Sequence, residues 1–170
     1  LPDPMFIHSE RTALNNPDGI PLQKGNSMSL RNAVEWSKNG VACQVYNRIT
    51  PEYGMSHITN MRFSHICKDD YYLSACLGGF TYGTTTAEMA SAYSCLVNHG
   101  EFYENTCITS IKDSDNNEIY KDDKPVDVYT GQAADAMVDI LKGVLTSGTA
   151  SGYGWSYRSN TEAMGKTGTT

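Results

Sequence analysis

Apolar residues recur at steps of three and four along much of the chain, a spacing that is typical of amphipathic helices. A first helix is predicted after Ser29, which can cap it, and a second one runs from Val41 until Pro51 ends it. A third, short helix is predicted at about residues 55–65. The pattern therefore predicts a protein that is mainly helical.

Two further helices are marked by their start signals. Thr85 and Glu88 have the spacing of a capping box, and the helix that they open is stopped by Gly100. Thr130 can cap the helix with the most regular apolar spacing, which is predicted at residues 132–145.

Extended structure is predicted in two places. Residues 108–121 favour a β-hairpin with a polar turn at 113–117, and residues 163–170 are expected to form a strand. By contrast, residues 1–28 are rich in Pro, Asn, Ser and Gly. An irregular N-terminal segment is therefore expected before a partial domain at residues 29–170.

The composition is that of a folded domain without a nucleic-acid surface. Of the 170 residues, 39% are hydrophobic, which suffices for a core. The formal net charge is −6, and the 13 Lys and Arg residues are scattered and form no basic run. A nucleic acid is therefore not expected as a partner.

Neither a metal nor a cofactor is predicted. The five cysteines are odd in number and contain no C-x-x-C pair, and the four histidines stand apart in the sequence. Most of the cysteines are expected to be small buried thiols without a disulfide network. They are Cys43, Cys67, Cys76, Cys95 and Cys107.

Lys166-Thr167-Gly168 is the sequence feature that points most directly to chemistry. In a strand, Lys166 and Gly168 would lie on one face, with Thr167 and Thr169 on the other. The small Gly165 and Gly168 would let a second backbone approach closely. A cation and hydroxyl groups at a sheet edge suit the carboxylate of a substrate, although an ordinary exposed strand end can have the same sequence.

A phosphate-binding loop is the rival interpretation of this motif. Such a loop needs a glycine five residues before Gly165, where this chain has Asn160. It also needs a buried strand before the motif and a helix after it, and residues 155–164 do not have the pattern of a buried strand. This interpretation is therefore disfavoured.

Serine-dependent acyl-transfer enzymes combine Lys-Thr-Gly with a triplet that starts with Ser and ends with Asn, and the chain contains two candidates. One consists of Ser37 and Asn39, and the other of Ser114 and Asn116. The second lies at the tip of the predicted hairpin, where such residues favour turns. The first lies at a break between two predicted helices, where side chains can be held over a cleft, and it is therefore preferred.

The order of these motifs resembles the transpeptidase domain of class A (bifunctional) penicillin-binding proteins over about residues 25–170. The segments that carry the resemblance lie at residues 29–33, 37–39, 77–79, 86–93, 98–100, 119–120, 140–144, 148–150 and 165–170. The resemblance implies an α+β fold. It would be the helical part of a transpeptidase fold shared by penicillin-binding proteins and serine β-lactamases, with a β-hairpin and a C-terminal strand.

The resemblance also implies a reaction, the D,D-transpeptidation of peptidoglycan stem peptides through an acyl-serine intermediate. Ser37 would relay a proton to the leaving amine, Asn39 would bind the substrate amide, and Lys166 would keep the local field positive. The residues expected to bind the substrate carboxylate are Thr167, Gly168 and Thr169. β-Lactam antibiotics imitate the same peptide end and are expected ligands, with no cofactor.

One departure from the family concerns the nucleophile. The family carries its reactive serine in an S-x-x-K motif, which occurs nowhere in these 170 residues. The chain also stops directly after its Lys-Thr-Gly motif, so we expect an excised piece. Because the S-x-x-K serine is absent, this piece is expected to be inactive by itself. The full-length protein is expected at the extracytoplasmic face of the cell membrane, held by an N-terminal anchor outside this chain and carrying a glycosyltransferase.

Two other interpretations stay open. A serine β-lactamase or a penicillin-sensing domain has the same fold and triplets, although the helix–hairpin–helix arrangement at residues 86–145 favours the transpeptidase. A non-catalytic interaction module that has lost its nucleophile would also lack S-x-x-K. An S-x-x-K motif within a few dozen residues upstream of this chain would favour the enzyme.

Overall fold

The computed structural model describes residues 6–8, 27–121, 124–153 and 161–168, and five α-helices are the main elements of these ranges. They are α1 (Leu30–Glu35), α2 (Asn39–Ile49), α3 (Pro51–Asn60), α4 (Thr86–Val97) and α5 (Gly131–Thr146). None of these described helices has the length and apolar character needed to span a membrane. The mainly helical architecture predicted from the apolar spacing is confirmed.

Three small antiparallel pairs of strands accompany these helices in the described part of the chain. They are β1 (Phe6–His8) with β2 (Ser27–Ser29), β3 (Glu101–Phe102) with β6 (Val126–Asp127), and β4 (Ser110–Lys112) with β5 (Glu118–Lys121). The third pair is the predicted hairpin. The other two were not predicted, because strands of two or three residues are too short to show alternation.

One of the unpredicted pairs lies at the N-terminus. Residues 1–28 were expected to be irregular, yet β1 and the start of β2 fall within them and pair with each other. The rest of that segment, residues 1–5 and 9–26, lies outside the described ranges. The pairing connects the N-terminal segment to the residue that caps α1, since Ser29 ends β2.

The predicted helix caps are present. The hydroxyl of Ser29 accepts a hydrogen bond from the backbone N–H of Asn32 (3.2 Å), and that of Thr130 accepts from Ala133 (3.3 Å). Thr85 and Glu88 form the complete capping box of α4. These short-range bonds satisfy backbone groups that a helix cannot satisfy internally.

The third helix lies earlier in the chain than predicted. α3 begins at Pro51 and ends at Asn60, whereas residues 55–65 were expected. Pro51 ends α2 as predicted and also suits the first turn of the next helix, where its missing N–H costs nothing. Thr50 caps this helix by accepting from the N–H of Tyr53 (3.4 Å).

The prediction of a C-terminal strand at residues 163–170 is wrong for residues 163–168, which the structure describes and which form no strand. A strand needs a neighbouring strand to bond its backbone. The segment lies instead against α5, where the N–H of Gly165 donates to the C=O of Leu141 (3.4 Å). Met164 packs against a buried apolar cluster of Leu141, Val144, Leu145 and Ala150. α5 and the turn after it thus hold the Lys-Thr-Gly segment.

α1 is joined to the end of α5 by a buried carboxylate. Glu35, the last residue of α1, is 8% exposed, and its Oε2 accepts from the hydroxyl of Ser147 (3.3 Å). Its backbone C=O accepts from the N–H of Thr149 (3.0 Å). The side chain also occupies the space beside Gly143, where the Cβ of a larger residue would overlap Oε1. Hydrogen bonding of this kind is what allows a charge to be buried.

A left-handed turn separates α1 from α2. Ser37 has a φ of 52°, in a region that costs a residue with a Cβ about 1–2 kcal/mol. The N–H of Ser37 donates to the C=O of Val34 (3.1 Å) and the N–H of Lys38 to that of Ala33 (2.8 Å). This paired bonding is a Schellman motif, whose left-handed position is usually glycine. A serine in this strained position indicates that the hydroxyl group has a function.

We predict that Ser37→Gly is more stable than Ser37→Ala by about 1 kcal/mol. Both changes remove the hydroxyl, and they differ only in the Cβ that the left-handed turn disfavours. The free energy of unfolding, from urea denaturation of both variants, is the measurement. At Ser94, inside α4, the order of the same two substitutions should reverse, because alanine favours helices over glycine. Equal stabilities at Ser37 would contradict the left-handed turn.

A second buried carboxylate closes the loop that follows α3. Asp70 is 0% exposed and accepts from the N–H of Cys67 (2.9 Å), the N–H of Thr81 (2.7 Å) and the hydroxyl of Thr81 (2.7 Å). The backbone bonds from Cys67 and then Thr81 are the main reason that the pKa of Asp70 is lowered to about 2. The loop between these residues is thereby tied at both ends, and its middle packs on Tyr46 and Met55.

We predict that the fold loses stability in acid as Asp70 takes up a proton. Because the folded pKa lies below the ordinary value of 3.8, the contribution of the carboxylate is complete above about pH 4 and is lost as the pH falls toward about 2. The thermal unfolding midpoint should fall as the pH is lowered through this range. The Asp70→Asn variant should have a lower midpoint above pH 4 and a smaller fall below it, because it has no carboxylate to protonate at this position. Asp69→Asn, at an exposed neighbour, is the control. Identical slopes in the two variants would show that Asp70 is not responsible.

Candidate active site

Ser37 and Lys166 lie in contact although 129 positions separate them in the sequence. The Nζ of Lys166 donates to the Oγ of Ser37 at 2.6 Å and to the backbone C=O of Thr167 at 3.0 Å. The left-handed turn after α1 presents the serine hydroxyl, and the segment packed on α5 carries the lysine. The proximity expected for these two residues is therefore present.

The ammonium group of Lys166 is partly withdrawn from water. The residue is exposed on average, yet desolvation lowers its pKa below the ordinary value of 10.5. A charge that is partly desolvated interacts more strongly with nearby oxygens than one in bulk water. Because an ammonium group only donates, the Oγ of Ser37 must accept, and the hydroxyl proton of Ser37 is left to be donated elsewhere.

A pair of threonine hydroxyls connects the Lys-Thr-Gly segment to the turn after α5. The Oγ1 atoms of Thr167 and Thr149 lie 2.8 Å apart. The backbone N–H of Thr149 in turn donates to the C=O of Glu35 (3.0 Å). When Thr149 donates within the hydroxyl pair, the proton of the Thr167 hydroxyl is available to an anion.

The other predicted site residues belong to the two chain segments that carry Ser37 and Lys166. Asn39 is the first residue of α2, so it comes from the same helix junction as Ser37. Gly168 is exposed, and among the described residues no atom beyond its immediate chain neighbours lies within 4 Å of the position that a Cβ would take there. Thr169 lies outside the described residues. The structure thus brings Ser37 and Lys166 together directly and leaves open space beside Gly168.

The competing triplet lies in the turn of the β4–β5 hairpin. Ser114 and Asn116 are both exposed, and the carboxylate of Asp113 accepts from the N–H of Asn117 (2.8 Å). Asn116 has a φ of 65°, a conformation that asparagine adopts more readily than most residues. This triplet is therefore part of a turn, as expected, and Lys166 contacts the other one.

Three kinds of polar group meet at this site: a lysine ammonium, a serine hydroxyl and a pair of threonine hydroxyls. Together they can attract an anionic group and pass a proton through the serine. Within the described ranges, no cluster of three or more His, Cys, Asp and Glu side chains could hold a metal ion. The chemistry that these groups support is acid–base and electrostatic.

Sequence reasoning missed two residues that build the site. Thr149 belongs to a segment that carries the family resemblance, but nothing in the sequence indicates that its hydroxyl meets Thr167, 18 residues later. Glu35 gives no signal either, because a charged residue at the end of a short helix is usually exposed. Its burial becomes apparent only when α1 is placed against α5.

The chain is similar in sequence to known penicillin-binding proteins. The family model described as "Penicillin binding protein transpeptidase domain" matches residues 9–170. Penicillin-binding protein 4 of Bacillus subtilis (strain 168) is 30% identical over 124 residues, which cover 72% of this chain and 20% of that protein. The chain therefore spans about a fifth of the length of this relative.

The fold is similar to two solved structures. Penicillin-binding protein 1A from Haemophilus influenzae has a TM-score of 0.69 at 18% identity, over 97% of this chain and 31% of that one. The D,D-transpeptidase domain of a peptidoglycan glycosyltransferase from Eggerthella lenta has a TM-score of 0.67 at 16% identity, and the match covers 99% of this chain and 48% of that one. The α+β fold is thus represented in part, as expected. With the family match over nearly its whole length, the chain belongs to the penicillin-binding protein transpeptidase domain family.

Proposed function

We propose that this chain supplies two walls of the active site of a class A peptidoglycan D,D-transpeptidase. The observation that carries the proposal is the 2.6 Å contact between the Nζ of Lys166 and the Oγ of Ser37. It joins the Ser-x-Asn triplet to the Lys-Thr-Gly motif, which serine acyltransferases use together. The reaction breaks the bond between two terminal D-alanines and transfers the acyl group to an amine of a second stem peptide.

The nucleophilic serine of this reaction comes from outside the 170 residues, which contain no S-x-x-K motif. When that serine attacks, it gives its proton to an adjacent base, and the departing D-alanine nitrogen needs a proton. Ser37 relays it: the hydroxyl proton of Ser37 passes to that nitrogen, and the Oγ recovers a proton from the base, so that the net transfer runs from the nucleophilic serine to the leaving group. Because Lys166 donates to the Oγ, the hydroxyl proton of Ser37 points toward the leaving group. Asn39 binds the substrate amide from the start of α2.

The terminal carboxylate of the stem peptide binds beside the Lys-Thr-Gly motif. Lys166 attracts it, and the hydroxyl of Thr167, positioned by Thr149, donates to it. Thr169 provides a further hydroxyl, and the open space at Gly168 lets the substrate approach the backbone. A β-lactam presents a carboxylate in the same place and acylates the same serine.

The substrate determines where such a protein works. Because peptidoglycan stem peptides are cross-linked outside the cytoplasmic membrane, this domain faces the extracytoplasmic side, held by an anchor from another part of the protein. The Eggerthella lenta structure belongs to a peptidoglycan glycosyltransferase. That arrangement supports a bifunctional protein in which a glycosyltransferase makes the glycan strands that this domain cross-links.

In the full-length protein, we predict that Lys166→Ala lowers the second-order rate of acylation by a fluorescent penicillin about 10²–10³-fold. The lost ammonium group no longer polarises Ser37 or attracts the carboxylate. Lys112→Ala, at an exposed lysine of β4, is the matched control and should leave the rate unchanged. Equal rates for the two variants would remove Lys166 from the site.

The isolated 170-residue chain is predicted to form no covalent adduct with the same penicillin. Ser37 cannot replace the missing nucleophile, since the third residue after it is Gly40 and not the lysine of S-x-x-K. Intact mass spectrometry is the measurement. The full-length protein, tested alongside, should retain one penicillin, whereas a β-lactamase would release it. One adduct per isolated chain, on any serine, would show that the nucleophile lies within these residues.

A further inference from the structure

Two thiols meet between α2 and the loop that follows α3. The Sγ of Cys43 lies 3.4 Å from the Sγ of Cys76. Cys43 is fully buried on α2, whereas Cys76 is half-buried in the 3-10 turn Leu73–Leu77, which packs beside Tyr46. All five cysteines of the chain are free thiols in this structure.

The separation of the two sulfur atoms is close to what a disulfide needs. A disulfide holds its sulfurs about 2.05 Å apart, so this pair must approach by about 1.4 Å. Cys76 lies on a short turn inside the loop from Cys67 to Thr81. The carboxylate of Asp70 holds both ends of this loop, because it accepts from the backbone N–H groups of Cys67 and Thr81. The loop is therefore held in place at both ends, and the approach needed for closure falls on the side chain of Cys76 and on the short turn that carries it.

We propose that Cys43 and Cys76 are a redox-active pair that closes to an intrachain disulfide in an oxidising environment and reopens under reducing conditions. The cross-link would join α2 to the turn Leu73–Leu77. The proposal rests on the geometry of the two thiols and is independent of the transpeptidase function.

The oxidant is a small-molecule disulfide such as oxidised glutathione, and closure takes two exchange steps. The thiolate of Cys76, the more accessible of the two, attacks one sulfur of the donor, forms a mixed disulfide and releases one donor thiol. The thiolate of Cys43 then attacks the Sγ of Cys76, breaks the mixed disulfide and releases the second donor thiol. The two cysteines have lost two electrons and two protons, which the two released thiols carry.

Closure is slow at neutral pH. Burial, followed by the hydrogen bond with Cys43, raises the pKa of Cys76 to about 12, so few molecules carry the attacking thiolate. The rate should therefore rise about tenfold per pH unit between about pH 7 and pH 9. The redox state of such a pair therefore follows the long-term redox conditions around the protein and does not change rapidly.

The cross-link would act on the helix that starts at the site. Cys43 lies four residues, about one helical turn, after Asn39, and both belong to α2. Joining Cys43 to the neighbouring turn would restrict movement of the N-terminal part of that helix. The oxidised protein would therefore hold the Ser37–Asn39 junction more rigidly than the reduced protein.

The experiment is to oxidise the folded 170-residue chain with oxidised glutathione, block the remaining thiols under denaturing conditions, and digest with trypsin and a glutamyl endopeptidase. These proteases release Cys43 on residues 39–48 and Cys76 on residues 69–88. We expect these two peptides to be recovered joined, with the loss of two hydrogen atoms. They should be joined at least about tenfold more often than any other pair of cysteines, because only proximity favours this pair.

Unfolding in guanidinium before oxidation is the first control, and it should abolish the preference. Cys95→Ser removes a buried thiol elsewhere and should keep the cross-link, whereas Cys76→Ser should leave Cys43 unmodified by glutathione in the folded chain. Random pairing in the folded chain would overturn the proposal. So would the recovery of Cys43 as a free thiol from chains in which Cys76 stays bound to glutathione.

Discussion

At Ser37 the backbone enters the left-handed region between the end of α1 and the start of α2, and the site is positioned relative to that turn. The strain of about 1–2 kcal/mol is offset by the two bonds of the Schellman motif and by the anchorage of Glu35 on α5. A glycine would relieve the strain but would offer no hydroxyl to Lys166. The turn also explains why Ser37 and Asn39 act from one junction, since only a few residues separate the two helices.

The contacts around this turn connect three chain segments in a ring: the turn after α1, the turn after α5 and the Lys-Thr-Gly segment. Glu35 bonds Thr149, the hydroxyl of Thr149 meets that of Thr167, and the neighbouring Lys166 reaches back to Ser37, two residues after Glu35. Each contact joins a different pair of segments, so a shift of one displaces the others. In the described part of the chain, Lys166 is therefore positioned by packing on α5 and by these side chains, where strand pairing was expected to do so.

Local signals in the sequence predicted local structure well. Caps at Ser29, Thr85 and Thr130 depend only on residues three positions away, and the hairpin depends on one turn. No spacing rule connects residues as far apart as Ser37 and Lys166. Their contact was predictable only because the two motifs take part in the same chemistry. The remaining features depend on partners elsewhere in the chain. These are the irregular course of the C-terminal segment, the shortest strand pairs, the burial of Glu35 and the contact between Cys43 and Cys76. Counting cysteines indicates parity but not which thiols meet.

The contact between Lys166 and Ser37 closes a loop of 129 residues, and polymer statistics set what that closure requires. Bringing together the ends of a flexible loop of that length costs on the order of 4 kcal/mol in entropy. A hydrogen bond to a charged group contributes only about 1.5–3 kcal/mol. The contact alone cannot hold its own ends together, so it depends on the docking of α1 on α5, which shortens the effective loop. The two walls of the site therefore stay together only while the tertiary packing is intact, and a mutation that loosens α1 from α5 would separate them without touching either residue.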